Sequence, residues 1–455
     1  MNMNDYVQKD LKYIWHPCSQ MKDYEELNPI IIEKGEGVWL YDIEGNKYLD
    51  CISSWWTNTL GHSNKRINEA IKKQIDSIEH VIFANFSNKP AIELAEKLVN
   101  ITPEKLTKVF FSDNGSSAVE IALKMSFHYN MQKGKTKKKR FVALSDAYHG
   151  ETLGALSVCD IDAFNMIYKH LLLDTLRVDG PDCYRCRYNC TRDSCNAECF
   201  DKMKKCIIEN HEEISAVIVE PMVQGAAGMK IYSPNYLKKL RELCNIYEIH
   251  LIADEIAMGF GRTGEMFACN HAKISPDFMC LSKGISAGYM PMSVVMTTEK
   301  IYDCFYGDYN ERKSFLHSHT YSGNAMGCAI ALENIKIFEE DNIIESNRTK
   351  AQLIRELTLE KSKYSKHVGE VRSIGMITAI EIVKDRHTKE LYSWDMRVGY
   401  EIYKIAISKG LLLRPIGNVL YFIPPYIINE EEIKFMVNTC FQSIEQYFMR
   451  NINRT

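Results

Sequence analysis

From about residue 106 to 330, short apolar runs alternate with stretches whose apolar positions recur at helical spacing. The runs are KVFFSD, RFVALSD, ISAVIVEPM, IHLIADE, FMCLSKG and MSVVMTT, and the helical patterns SAVEIALKMSFHYN and YLKKLRELCNIYE lie among them. Short strands separated by amphipathic helices predict βαβ units and a mostly parallel sheet, an α/β fold. After residue 330 the pattern changes. Helices over about 328 to 360, the apolar VRSIGMITAIEIV, a long helix near 393 to 409, and GLLLRP with VLYFIPP predict a smaller α+β domain. The expected division is an N-terminal segment (1–60) that packs with the small domain and the site, a large domain (61–330) and a small domain (331–455). No internal repeat or low-complexity linker marks the joints.

Composition adds exclusions. With 455 residues and 45% hydrophobic content the chain can bury a sizeable core. A net charge of −3 gives no reason to expect nucleic acid, and the one basic run, KGKTKKKR (133–140), reads as a solvated turn before a strand. No uncharged apolar run reaches the roughly 18 residues of a membrane span. The opening MNMNDYVQKDLKYIW lacks the apolar core of an export signal, so a cytoplasmic, membrane-free protein is expected. Fifteen cysteines, an odd number, then read as reduced thiols rather than a disulfide framework.

Four short stretches carry candidate chemistry. In MCLSKGISAGYMP (279–291) an apolar run closes on Lys283 and steps into a turn, the position at which open α/β sheets present reactive groups; a solvated lysine at a strand end reads the same way. In IHLIADEIAMGFGRTG (249–264) Asp254 closes another run, 29 residues before Lys283, which leaves room for a loop, a short helical element and one further strand. In FFSDNGSSAVEIALKM (110–125) a strand runs through Asn-Gly-Ser-Ser into a helix, with a Ser117/Glu120 capping box expected; the free amides of that helix start suit a phosphate, and a plain capped turn is the alternative. In SDAYHGET (145–152) Tyr148 and a histidine follow a strand, and the tyrosine either stacks on a flat ligand or is a half-buried aromatic. Together the four ask for a cofactor with a phosphate, an aromatic face, a ring nitrogen that wants an acid and an aldehyde that wants an amine. Pyridoxal 5'-phosphate has all four.

On these motifs, with IWHP (14–17), SSWW (53–56), IVEPMVQGAAGM (218–229), HTYSGNAMGCA (319–329) and RPIGNVLYFIPPYI (414–427), the sequence resembles the class III (ω) aminotransferases of fold type I nearly end to end. Within the class, the tandem tryptophans and the Arg-Pro segment resemble the branch that aminates 8-amino-7-oxononanoate in biotin biosynthesis, with adenosylmethionine or lysine as donor. The resemblance implies that Lys283 forms the Schiff base with the cofactor and that catalysis falls to Lys283, Asp254 and Tyr148. It implies that Asp254 pairs with the ring nitrogen, Gly115 and Ser116 hold the phosphate, Tyr148 stacks on one ring face and Ile256 packs on the other. Thr320 would reach the phosphate of a neighbouring subunit, which makes a homodimer with shared active sites. Trp55, Trp56, Arg414 and Tyr421 would line the substrate pocket, Arg414 gripping a carboxylate as a bidentate fork.

The sequence departs from the class at three places. Cys18 stands where an aromatic is common beside the substrate, and Glu151 where aspartate is common. The third is CYRCRYNCTRDSCNAEC (183–199), followed by Cys206. Its spacing admits a metal or redox reading, but it is irregular and interleaved with arginines, so no metal is assigned and a structural loop is expected. Two rival functions remain: another ω-aminotransferase acting on a diamine or ω-amino acid, and a thiol-based metal or redox sensor on the same scaffold.

Overall fold

Strands buried on both faces read as continuous apolar runs, and those runs form the centre of this molecule. The computed structural model describes residues 3–450. After a helix, Met3–Tyr13, and a 3-10 turn, Met21–Glu25, comes a meander of β1 (Ile32–Glu36), β2 (Trp39–Asp42) and β3 (Lys47–Asp50). The central sheet follows with β4 (Leu106–Ser112), β5 (Arg140–Leu144), β6 (Thr175–Val178) and β7 (Ile214–Val219). After a two-residue hairpin, β8 (Val223–Gln224) and β9 (Lys230–Ile231), it is completed by β10 (His250–Asp254), β11 (Phe278–Leu281) and β12 (Ser293–Thr298). Its seven strands lie in the order β4-β12-β11-β10-β7-β5-β6. Only β12 runs antiparallel to its neighbours, so the sheet is mixed and mostly parallel.

Alternation along the strands sorts their side chains onto two faces. Ala216, Ile218, Ile252 and Cys280 pack under the helix Gly115–Gln132, with its Ala118, Ile121, Ala122 and Met125. Val217, Val219 and Leu251 turn to the other face and meet Leu237, Leu240 and Cys244 of the helix Pro234–Ile246. Toward the C-terminus, β13 (Val368–Ile374), β14 (Ile377–Ile382) and β16 (Val419–Phe422) form an antiparallel sheet, while β15 (Leu411–Leu412) leaves it to pair in parallel with β3. The helices Ala325–Glu340 and Ile343–Ser362 fall where helical spacing predicts them.

The structure corrects several local expectations. The long helix near 393–409 is broken: Arg397 takes φ 46° between a 3-10 turn, Trp394–Met396, and a helix that begins only at Val398 and ends at Ile407. No Ser117/Glu120 capping box forms. Asn114 caps the helix by accepting from the Ser117 amide at 3.0 Å, and the Glu120 carboxylate instead accepts from the amides of Gly154 and Ala155. The basic run is not wholly solvated either, because Lys138 is 7% exposed and its ammonium donates to the carbonyls of His211, Ile214, Tyr247 and Glu248 at 3.0 to 3.2 Å. All fifteen cysteines are free thiols. Among the described residues no helix is long and apolar enough to cross a membrane.

Candidate active site

Because β4, β5, β7, β10 and β11 all point the same way, the loops after them converge on one edge of the sheet, where open α/β sheets bind ligands. There they wall a cavity of about 960 Å³, lined among others by Gly115, Ser116, Tyr148, Glu220, Asp254, Ile256 and Lys283. Trp55, Trp56, Arg414 and Tyr421, distant in sequence, complete the same wall. Thr320 is the one expected residue outside it, exposed on the stretch after β12.

Lys283 follows β11 with φ 45° and starts a 3-10 turn, Lys283–Ser286. Its Nζ lies 4.5 Å from the ring centroid of Trp56. Burial lowers its pKa to about 8, against the opposing pull of the Asp254 and Glu220 carboxylates. An amine held there is partly unprotonated near neutrality, which a nucleophile or a general base requires.

Asp254 is 5% exposed. One carboxylate oxygen accepts from the Ile256 amide at 3.1 Å and the other from Nδ1 of His149 at 2.7 Å. Nε2 of His149 is buried with no partner among the described residues. Glu220, at the end of β7, accepts from the amides of Tyr148 and Gly225. Desolvation lifts it to about 7, with the nearby Asp254 charge adding to the rise and His149 opposing it. The Tyr148 hydroxyl donates to Glu151 at 2.7 Å, and burial followed by that carboxylate raises its pKa.

The start of the helix Gly115–Gln132 forms an anion cradle. Asn114 occupies the Ser117 amide with its side chain and the Ala118 amide with its carbonyl, while the amides of Gly115 and Ser116 have no partner among the described residues. A Cβ at Gly115 would lie 3.1 Å from Ile256, and one at Gly150, whose φ is +123°, would lie 2.2 Å from the Ser116 hydroxyl. Both glycines keep the cradle open. A phosphate at free amides and a helix dipole, an acid at the end of β10 and a softened amine at the end of β11 fit the four demands of pyridoxal 5'-phosphate.

On the opposite wall, the Arg414 guanidinium lies 4.0 Å from the ring centroid of Trp55 and donates to the Cys18 carbonyl at 3.1 Å. It has no carboxylate partner among the described residues. Trp56 is 6% exposed and donates from Nε1 to the Tyr421 hydroxyl at 3.1 Å. Ser53, Ser54, Trp55 and Trp56 are consecutive left-handed residues, with φ 49°, 44°, 71° and 69°. For L-residues that winding costs roughly 1–2 kcal/mol each.

Sequence reading missed His149 as the partner of Asp254 and left Glu220 and Glu151 without roles. The available signal for Glu220 was an acid directly after a buried, mostly apolar strand, the pattern that drew attention to Asp254. No residue of the cysteine segment lines the cavity, and among the described residues no three His, Cys, Asp or Glu side chains are placed to share a metal ion.

Comparison with known proteins accords with this geometry. Residues 20–444 match the family described as aminotransferase class-III. An adenosylmethionine-8-amino-7-oxononanoate aminotransferase of Geobacter sulfurreducens is 46% identical over 96% of this chain and 96% of its own, and one of Helicobacter pylori is 46% identical over 93% and 94%. The crystal structure of the Methanocaldococcus jannaschii adenosylmethionine-8-amino-7-oxononanoate aminotransferase superposes with a TM-score of 0.93 at 40% identity, covering 98% of this chain and 99% of that one. An omega transaminase from Pseudomonas jessenii, solved in complex with PMP, superposes at 0.92 with 32% identity over 98% of both chains.

Proposed function

The chain belongs to the class-III aminotransferases, and from that premise we infer that it converts 8-amino-7-oxononanoate to 7,8-diaminononanoate in biotin biosynthesis, with adenosylmethionine or lysine as amino donor. The observation that carries the substrate is Arg414: a guanidinium with no carboxylate partner among the described residues, on a tryptophan face in the same cavity as Lys283. A keto acid with a terminal carboxylate and an aliphatic chain suits that pairing, the carboxylate on the fork of Arg414 and the chain along Trp55 and Trp56. The wall formed by Cys18 leaves both donors open.

Pyridoxal 5'-phosphate, the cofactor of this class, supplies an aldehyde that takes up the amino group and a ring that draws electrons from the carbon losing its proton. In our assignment the Gly115 and Ser116 amides would hold its phosphate, Tyr148 and Ile256 would pack on its ring, and Asp254 would pair with its ring nitrogen. His149 keeps Asp254 oriented through the 2.7 Å bond. Lys283 would carry the proton transfers: its Nζ, held near pKa 8, would accept the proton from the donor carbon and then, as a general acid, deliver it to the carbon that the cofactor's aldehyde supplies. The bond to Glu151 holds the Tyr148 ring in place on the cofactor side of the pocket.

The reading includes a second copy of the chain, with Thr320 serving the partner's phosphate site. In support, the segments around Thr320 and residues 79–88 touch through Asn324 to Glu79 and Asn88 to Gly323, and they expose Ile82, Phe86, Leu316 and Tyr321. We further assign three parts, 1–60, 61–330 and 331–455, supported by the pairing of β3 with β15; residues 1–2 and 451–455 of the outer parts lie outside the described residues. Fifteen unpaired thiols support a cytoplasmic location.

The test is the absorbance of the holoenzyme as substrates are added in turn. Visible absorbance that bleaches with adenosylmethionine or lysine and returns with 8-amino-7-oxononanoate is the expected result, and it names the donor. A band that responds to other amines but not to this keto acid refutes the substrate.

A further inference from the structure

The left-handed turn Ser53–Trp56 contains no glycine, so something must hold it. Strained backbone of this kind persists only where the surroundings over-determine it. Asp50, the last residue of β3, is fully buried and directs its whole carboxylate at the turn. Oδ1 accepts from the amides of Ile52 at 3.3 Å and Ser54 at 3.0 Å. Oδ2 accepts from the Ser54 hydroxyl at 2.7 Å and from Nε2 of His62 at 3.0 Å, while Nδ1 of His62 takes the Asn58 side-chain amide at 3.1 Å. Arg262 grips the other end through the carbonyls of Trp56 and Asn58.

The turn delivers two contacts to the cavity. Trp55 lies beneath Arg414, and Trp56 lies beside Lys283 and bonds Tyr421. Asp50 itself is absent from the cavity wall. The geometry points to Asp50 as a positioning residue for the substrate pocket: its carboxylate holds the left-handed turn that sets Trp55 under Arg414. This rests on the reading of Arg414 as the grip for a substrate carboxylate. A right-handed or relaxed turn would swing the Trp55 ring away from the guanidinium, and Arg414 would keep only the Cys18 carbonyl to orient it.

The holoenzyme carrying Asp50→Asn tests this. The amide preserves volume and one acceptor oxygen but presents N–H groups to the His62 N–H. The probes are nonanoate, a straight-chain carboxylate without amine or ketone, titrated by calorimetry, and a small primary amine without a carboxylate, followed in its half-reaction. Asp50→Asn is expected to weaken nonanoate binding about tenfold while the amine half-reaction stays within about twofold, because Arg262 on the Trp56 carbonyl and Tyr421 on its indole still hold Trp56 beside Lys283, and misplacement falls on the Trp55 side of the turn. Adding Ser54→Gly to the same variant restores most of the loss, since glycine takes the left-handed conformation without Cβ crowding. Where Asp50→Asn does not fold, Ser54→Ala removes one of the four bonds and weakens nonanoate about threefold.

Nonanoate binding unchanged in these variants overturns the proposal. So does an equal loss of nonanoate binding and amine reaction that Ser54→Gly leaves in place, which marks Asp50 as packing alone. A wild-type holoenzyme that binds nonanoate but does not aminate 8-amino-7-oxononanoate overturns the substrate reading only, and the variants still decide Asp50. A wild type that binds no nonanoate overturns both.

Discussion

Replacing Arg414 by alanine separates substrate grip from fold. The side chain makes one neutral acceptor contact, to the Cys18 carbonyl at 3.1 Å, and one ring contact, to Trp55 at 4.0 Å. The first is worth about 1 kcal/mol and the second about 0.5–1 kcal/mol at a partly exposed site, so the loss of stability stays below about 2 kcal/mol. The loss of function is larger. A charge-assisted hydrogen bond to a bound carboxylate contributes about 1.5–3 kcal/mol, which converts to roughly 10- to 150-fold in kcat/KM. The assay is rapid mixing of the amine-loaded holoenzyme with 8-amino-7-oxononanoate, compared with a ketone of similar length that lacks the carboxylate. The keto acid is expected to lose that factor and the plain ketone to change little. Arg414→Lys should recover only part of it, because an ammonium keeps the charge but not the planar fork. If Arg414→Ala keeps its kcat/KM for the keto acid within about twofold, or loses both ketones equally, Arg414 is not the carboxylate site.

Three further predictions follow from buried groups. Lys283→Met abolishes transamination and stabilises the cofactor-free protein at pH 7: the folded pKa of about 8 lies below the unfolded value near 10.5, so the native lysine costs on the order of 3 kcal/mol below pH 8, and the cost fades as pH rises toward 10.5. Urea titrations at pH 7 and pH 10 check the sign, and a gap between variant and wild type that widens with pH refutes it. Gly150→Ala, with a Cβ 2.2 Å from the Ser116 hydroxyl at a backbone φ of +123°, should weaken cofactor retention by tenfold or more on dialysis; unchanged retention means the cradle does not hold the phosphate. Lys138→Met leaves four carbonyls, that of Ile214 buried and the others part-buried, facing a methyl group and should cost about 2–4 kcal/mol in chemical denaturation with activity per folded molecule intact; a neutral effect would mean water replaces the ammonium.

Strand ends were legible and caps were not. Lys283 and Asp254 stand out because an apolar run that stops on a charge marks the edge of a buried strand, and both side chains reach the cavity. Glu220 carries the same mark after β7, yet nothing in the run distinguishes an acid that turns inward from one in solvent. The expected capping box failed for a related reason: Ser117 and Glu120 have the spacing, but Asn114 stands closer to the helix start and Glu120 finds the amides of Gly154 and Ala155, more than thirty residues away. The broken helix at Arg397 is also tertiary in origin, since its guanidinium makes a two-bond pair with Asp23 across the chain.

By itself the sequence determined the mostly parallel sheet, the strands that carry Asp254 and Lys283, and the glycine-serine start of the helix after β4, because apolar periodicity and the charges that end apolar runs are local and repeat along the chain. Only the tertiary structure decided that His149 orients Asp254, that Trp55 lies under Arg414 across more than 350 residues, and that a left-handed turn without glycine presents both tryptophans. Those arrangements depend on which strands neighbour one another and on buried groups such as Asp50 and Arg262 that outweigh local preference. No window of sequence contains both partners.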